Sequence, residues 1–289
     1  MHINEVHMPG DLAQQLLETA RSVSLEYLEM SLLGSTWDPP KFFHSSQWTA
    51  FIQQVARSWH DKSSLVVRGV PTDNGATTLL AALSLSARFK SYRKNKIVKH
   101  FKMSPWTKEL SQTIKEGYFH TDLNTAPVPP AATVIHCHKP DPNPKMGESR
   151  VVMIDDLLSE LKRRGEAETL TFLTKTKLDM VDERKQGAWS GSIIEGGTIR
   201  FHPETLRAAA QRLYSLPQEL EYYLTVIHEC AMAVSEPIHL APGDALFVSN
   251  HRALHYRGEC TVQFTKFPRQ FLAREIYVLH LQDEPQWQI

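Results

Sequence analysis

Cysteine is scarce in this chain of 289 residues: Cys137, Cys230 and Cys260 are the three present, far apart and with no C-x-x-C pair. That spacing argues against a disulfide framework and against a zinc knuckle, and it fits buried thiols in a reducing compartment. An excess of either charge is missing too, because 32 lysines and arginines balance 32 aspartates and glutamates. No overall field therefore draws the chain to nucleic acid or to an anionic membrane surface. No apolar run approaches the roughly 20 residues of a membrane span. The start, Met1-His2-Ile3-Asn4-Glu5, lacks the basic region and apolar core of a secretory signal, so a cytoplasmic location is expected. Internal repeats, low-complexity stretches and Gly/Ser linkers are also lacking, and the expectation is a single domain over residues 1–289.

What is present suits a globular protein with a substantial core: 42% hydrophobic and 22% charged residues. Apolar positions recur at helical spacing over 11–33, and Trp48 to Trp59 reads as a second amphipathic helix. Ser64 to Val70 is a short buried strand stopped at Gly69 and Pro71. Residues 76–87 are Ala/Leu-rich and predict a helix. A basic tract over 88–102 (Arg88, Lys90, Arg93, Lys94, Lys96, Lys99, His100, Lys102) reads as a solvated loop or helix face, or as a rim that attracts an anion. Ala131 to Cys137 and Ser149 to Asp155 predict strands. Asp156 to Arg164 predicts a helix ended by Gly165, and Glu166 to Thr176 its successor. Residues 177–200 carry strand and turn signals; Glu204 to Leu213 and Gln218 to Val234 are helical. Pro242-Gly243 turns into an apolar strand ending on Asn250, and 261–281 is rich in β-branched and aromatic residues.

The chemistry centres on Phe119-His120-Thr121-Asp122. In a strand, residues two apart share a face, so His120 and Asp122 would offer an imidazole and a carboxylate to one point. A metal that takes two histidines and a carboxylate and keeps other positions open suits such a pair, given a second histidine downstream. His251 and His255 are both candidates. His136-x-His138 has the same spacing, although strand histidines of this kind more often face a polar interior or solvent.

Taken in order, His120-Thr121-Asp122, Gly147-Glu148-Ser149, the run Pro242-Gly243-Asp244-Ala245-Leu246-Phe247-Val248-Ser249-Asn250 through His255, and a later arginine resemble the TauD/TfdA-like, clavaminate synthase-like family of Fe(II)/2-oxoglutarate-dependent oxygenases. The resemblance covers about residues 60–281, the expected catalytic core. It implies a mainly β fold with flanking helices around a double-stranded β-helix, the cupin-like jelly roll. It implies His120, Asp122 and His255 as catalytic iron ligands, with His251 the competitor near the strand end. It implies an arginine for the distal carboxylate of 2-oxoglutarate. Arg269 has the family spacing and is preferred over Arg274, which strand alternation would turn to the opposite face; Ser149 would add a hydroxyl to the same carboxylate.

The implied cofactors are Fe(II), 2-oxoglutarate as co-substrate and O2. The implied reaction is hydroxylation of an unactivated C–H of a small, amino-acid-like or anionic metabolite, with succinate and CO2 released. The partner is then a small-molecule substrate rather than nucleic acid or a membrane. Because Asp122 is retained where related halogenases lack the carboxylate, hydroxylation is the default. Desaturation, cyclisation and epoxidation use the same ligands. Arg200 is a further candidate for substrate contact. Two other classes compete: a cupin-like metal-dependent hydrolase or isomerase, and a binding module without catalysis.

Overall fold

Runs such as Leu65-Val66-Val67 and Ala245 to Val248 are apolar at successive positions, so a strand made of them must be covered on both faces. The computed structural model, which describes residues 3–36, 38, 41–85, 90–182, 187–213 and 219–283, shows how that cover is arranged. The strands are β1 (Asn4–His7), β2 (Ser64–Arg68), β3 (Lys99–Lys102), β4 (Ala132–Lys139), β5 (Ser149–Met153), β6 (Leu178–Asp182), β7 (Gly187–Gly191), β8 (Ile194–Glu195), β9 (Thr198–Ile199), β10 (Ala245–Ser249), β11 (Ala253–Arg257), β12 (Val262–Lys266), β13 (Gln270–Ala273) and β14 (Glu275–Leu281). The helices are α1 (Gly10–Ser22), α2 (Leu25–Leu33), α3 (Ser46–Lys62), α4 (Gly75–Leu85), α5 (Ile154–Arg164), α6 (Ala167–Thr174), α7 (Pro203–Leu213) and α8 (Leu220–Val234).

Six strands form one sheet in the order β1-β2-β10-β4-β14-β3, parallel at β1–β2 and antiparallel elsewhere. Alternation assigns its two faces. Leu65, Val67, Ala132, Val134, Ala245, Phe247, Leu279 and Leu281 pack with Leu12, Leu16, Trp48, Val55, Trp59, Leu79 and Leu80 of α1, α3 and α4. The residues between them, among them Val66, Ile135, Cys137, Leu246, Val248 and Val278, turn the other way and pack with Val151 of β5 and Ala253 of β11. The antiparallel pair β5–β11 thus faces the large sheet, and its far side, with Val152 and Leu254, is covered by α5, α6, α7 and α8. Helices, sheet, strand pair and helices make four layers, and the site lies between the inner two.

The chain is mixed helix and strand, which corrects the expectation of a mainly β protein: more described residues lie in α-helices than in strands. The reason is that both outer sheet faces are apolar and each needs a helical layer. The helix expected over 11–33 is two helices, split at Val23, with the Ser24 hydroxyl accepting from the Tyr27 N–H to cap the second. The strand expected to reach Asp155 stops at Met153, and α5 ends at Gly165 in the left-handed region (φ 78°) as predicted. The basic tract becomes a loop and the edge strand β3; Arg88 and Phe89 lie outside the described residues, as do 86–87, 183–186 and Gln218. β1, near the start of the chain, forms one edge of the main sheet. Among the described residues no helix is long and apolar enough to cross a membrane.

Candidate active site

His255 lies on β11 opposite Val151 of β5. Its neighbours Leu254 and Val152 turn outward to the helices, so alternation sends His255 inward, toward the large sheet. His120 meets it across a one-residue antiparallel bridge closed by two backbone hydrogen bonds of 3.0 Å, and the two rings stand 4.3 Å apart. Pairing ends there. Asp122 opens a turn in which Leu123 adopts φ 52°, so His120 and Asp122 do not share the face of a strand as the spacing predicted. The turn, not alternation, brings the carboxylate round. Asn250, the residue after β10, holds that turn as a strand partner would. Its Oδ1 accepts from the Asp122 N–H at 2.7 Å, and its Nδ2 donates to the Asp122 and Pro130 carbonyls at 3.0 and 2.9 Å.

The result is a cluster. His120 Nε2 lies 3.7 Å from Asp122 Oδ1 and His255 Nε2 3.6 Å from Asp122 Oδ2. One donor atom from each of the three side chains lies within 4.8 Å of the others. His120 Nδ1–H donates to the Tyr118 carbonyl at 2.8 Å, which leaves the Nε2 lone pair pointing into the cluster. Burial pushes His255 down to about 3, helped by the neighbouring His120, so its ring is neutral. Burial lowers His120 as well, but the Asp122 carboxylate outweighs it and the net shift is upward. For Asp122, burial raises the carboxyl, yet the surrounding imidazoles of His255, His120 and His280 hold it well below the usual carboxylate range. Two imidazole nitrogens and an ionised carboxylate converging from separate elements are the donor set of an open divalent-metal site.

The other candidates separate. His251 is half-buried, its carbonyl taken by the Ile199 N–H, and it is not among the grouped donors. His136 turns to the helical face and meets the Thr78 hydroxyl at 2.8 Å, while His138 meets the Thr72 carbonyl at 2.9 Å, so this pair serves packing. Arg200 donates to the Ala126 and Pro127 carbonyls at 2.7 and 3.1 Å and stacks on Trp189, fastening the loop after the Asp122 turn.

Arg269, the preferred arginine, is exposed in the turn between β12 and β13. Strand alternation does not relate the two arginines, because Arg269 lies in the turn before β13 and Arg274 follows that strand. Arg274 is the inward one, 3% exposed, with Nη2 3.4 Å from Ser149 Oγ. Ser149 lies two residues from Val151, the cross-strand partner of His255, on the same inner face of β5.

Three groups near the cluster carry no signal in the motif. Thr133 Oγ donates to Asp122 Oδ2 at 2.8 Å, and His280 Nε2 meets the same oxygen at 3.1 Å. Arg93, from the basic tract, is half-buried and attracted to Asp122, with its buried Nε lacking a hydrogen-bond partner. Neighbouring backbone fixes its segment: Ser91 bridges Leu281, and the Tyr92 N–H donates to the His280 carbonyl at 3.1 Å. Only knowledge that β14 pairs with β4 could have placed His280 here.

Comparison with known proteins shows what the chain is similar to. The profile of the taurine catabolism dioxygenase TauD, TfdA family matches residues 38–173. The matched segment holds His120, Asp122 and Ser149, and it is what this chain shares with TauD/TfdA dioxygenases. Among solved structures, the non-haem iron oxygenase OrfP in complex with Fe, succinate and (3S)-hydroxy-L-Arg is 16% identical, with a TM-score of 0.66 over 96% of this chain and 94% of that one. OrfP with Fe and alpha-ketoglutaric acid gives 14% and 0.65 over 97% and 94%. Asparagine oxygenase in complex with Fe(II), 2S,3S-3-hydroxyasparagine and succinate gives 15% and 0.64 over 96% and 94%. At these identities the likeness is one of fold. No curated protein sequence gives a significant match.

Proposed function

We propose that the protein is an Fe(II)/2-oxoglutarate-dependent oxygenase that hydroxylates an unactivated C–H of a small, amino-acid-like or anionic metabolite. The observation that carries the reading is the convergence of His120, Asp122 and His255, with donor atoms within 4.8 Å of one another, in a fold shared with iron oxygenases. The donor chemistry fits a ferrous ion: Nε2 of both histidines and one Asp122 oxygen are the ligating atoms, leaving room for a chelating co-substrate and O2. When bound, the iron and 2-oxoglutarate supply activation of O2 and oxidation of the C–H bond, with succinate and CO2 released. We also infer that the β5–β11 pair and the large sheet are the two walls of a double-stranded β-helix, and that residues 1–289 act as one catalytic unit.

The remaining roles belong to the chain. Arg274 is the residue for the distal carboxylate of 2-oxoglutarate, in place of Arg269. A buried guanidinium whose described partner is one serine hydroxyl at 3.4 Å leaves donors free for a carboxylate, and the pair gains from low local dielectric. Ser149 Oγ supports the same oxygen atoms. The Tyr118 carbonyl fixes the His120 tautomer, and Asn250 fixes the turn that aims Asp122. Arg93 supports an anionic substrate: it adds a positive charge beside the site, and its buried Nε has no internal partner. The solved relatives carry hydroxylated arginine and asparagine, so α-amino acids are the first substrates to try.

The test is succinate release from 2-oxoglutarate under air with Fe(II), across a panel of L-amino acids and other small anions. Substrate-dependent succinate together with a product 16 Da heavier is the expected result; a product 2 Da lighter would mean desaturation or ring closure instead. Anaerobic Fe(II) with 2-oxoglutarate should also give a weak visible charge-transfer band. Metal binding without that band would replace this reading with a cupin-like hydrolase or isomerase, and absence of metal binding would leave a binding module.

A further inference from the structure

The carboxylate of Asp122 does not stand free in its pocket. Thr133 and His280 are direct partners across the β4–β14 ladder, so both side chains project from the same face of the large sheet at one level. Their flanking residues, Ala132, Val134, Leu279 and Leu281, all turn to the helical layer, which leaves Thr133 and His280 on the inner face. There the Thr133 hydroxyl donates to Asp122 Oδ2 at 2.8 Å and His280 Nε2 lies 3.1 Å from the same oxygen. A carboxylate only accepts, so His280 must hold its proton on Nε2. Its Nδ1 is buried with no hydrogen-bond partner, which agrees with that tautomer, since Nδ1 then carries no proton in need of an acceptor. An sp2 carboxylate oxygen has two lone pairs, and here both are directed to donors.

We propose that His280, with Thr133, is a positioning pair that saturates Asp122 Oδ2 and so presents Oδ1 alone to the metal, fixing a one-oxygen bond and leaving the neighbouring coordination position open for the co-substrates. His280 is not itself a ligand: it acts through the carboxylate, and the grouped donor atoms do not include it. The inference rests on the iron-site reading of His120, Asp122 and His255. It adds that the large sheet, which contributes none of those three side chains, sets the coordination mode.

The experiment is anaerobic titration of the full chain with Co(II), read by its visible d–d spectrum, and with Fe(II), read by the 2-oxoglutarate charge-transfer band. Three variants are compared with the wild type: His280→Phe, which fills the space without a donor; His280→Gln, which restores an N–H; and Thr133→Val. Circular dichroism and the thermal midpoint of the metal-free proteins check the fold. The expected result is a metal dissociation constant raised about 10- to 100-fold in His280→Phe, the range typical of lost outer-sphere partners, with an altered d–d spectrum. His280→Gln should recover both toward wild type, and Thr133→Val should weaken binding in the same direction. Wild-type affinity and spectrum in His280→Phe, or a Gln variant as weak as Phe, would overturn the inference while leaving the iron site standing. If His280→Phe does not fold, wild-type affinity and spectrum in Thr133→Val would overturn it equally. Failure of the wild type to bind either metal would remove the iron site itself.

Discussion

Arg274 and Arg269 differ by five positions in sequence and by almost everything in environment: one is inward and 3% exposed, the other sits on a hairpin turn. Under the proposed function, removing the buried guanidinium would leave the 2-oxoglutarate carboxylate without its charged partner, a loss of about 2–5 kcal/mol for a buried charge pair. Arg274→Ala is therefore expected to raise the KM for 2-oxoglutarate by roughly 100-fold, whereas Arg269→Ala should stay within about twofold of wild type, as exposed substitutions do. Steady-state succinate assays distinguish them, and the reverse pattern would restore the family spacing over the geometry. For the ligands, His120→Ala and Asp122→Ala are each expected to abolish succinate formation while the far-ultraviolet dichroism is unchanged; full turnover in either would remove that residue from the metal. At this scale the sequence carried His120, Asp122 and His255 because their spacing and the run up to Asn250 are written along the chain. It could not carry His280, Thr133 or Arg93, whose nearness to Asp122 exists only after β4, β14 and the segment at 91–93 have paired.

Among the elements, the turn that launches β10 is the most constrained. Gly243 adopts φ 89°, and a Cβ there would stand 2.2 Å from the Val70 carbonyl oxygen. Backbone that close cannot swing aside as a side chain would, so Gly243→Ala combines left-handed strain with a clash. A loss of about 3 kcal/mol or more is expected, visible as a drop in urea midpoint. An unchanged midpoint would mean that the turn can rebuild. The consequence reaches the site, because β10 ends on Asn250 and Asn250 holds the Asp122 turn. Strands and helices were mostly legible from apolar periodicity and from Gly and Pro at their ends, as with Gly165 after α5. The exceptions have local causes. Ser24 restarts a helix inside one continuous apolar pattern, and the His120 strand shrinks to a single bridge because the chain must turn to deliver Asp122.

Over the whole molecule, the layered burial of histidine couples stability to pH. His136 faces α4 beneath the large sheet, and burial pushes it down from 6.5 to about 4. Between those two values the unfolded chain takes up a proton that the folded chain refuses, so stability is complete above about pH 6.5 and is lost as pH falls toward 4. One such group accounts for about 3 kcal/mol over that window. His255, also depressed by burial, to about 3, adds to the slope in the same direction. Urea midpoints for wild type and His136→Gln at several pH values check this: the variant should show the flatter dependence, and parallel curves would place the coupling elsewhere.

The sequence by itself determined the periodic elements and the order of the motifs, because each is encoded in neighbours a few residues apart, and the resemblance those motifs carry singled out His120, Asp122 and His255. Which arginine faces inward, how Asp122 is turned and held, and what occupies its second oxygen were decided by tertiary structure. These depend on the pairing of β4 with β10 and β14, both of which lie more than 100 residues further along the chain. Hydrogen-bond register between such strands is selected only when the helical layers bury both outer faces, and no local pattern encodes it.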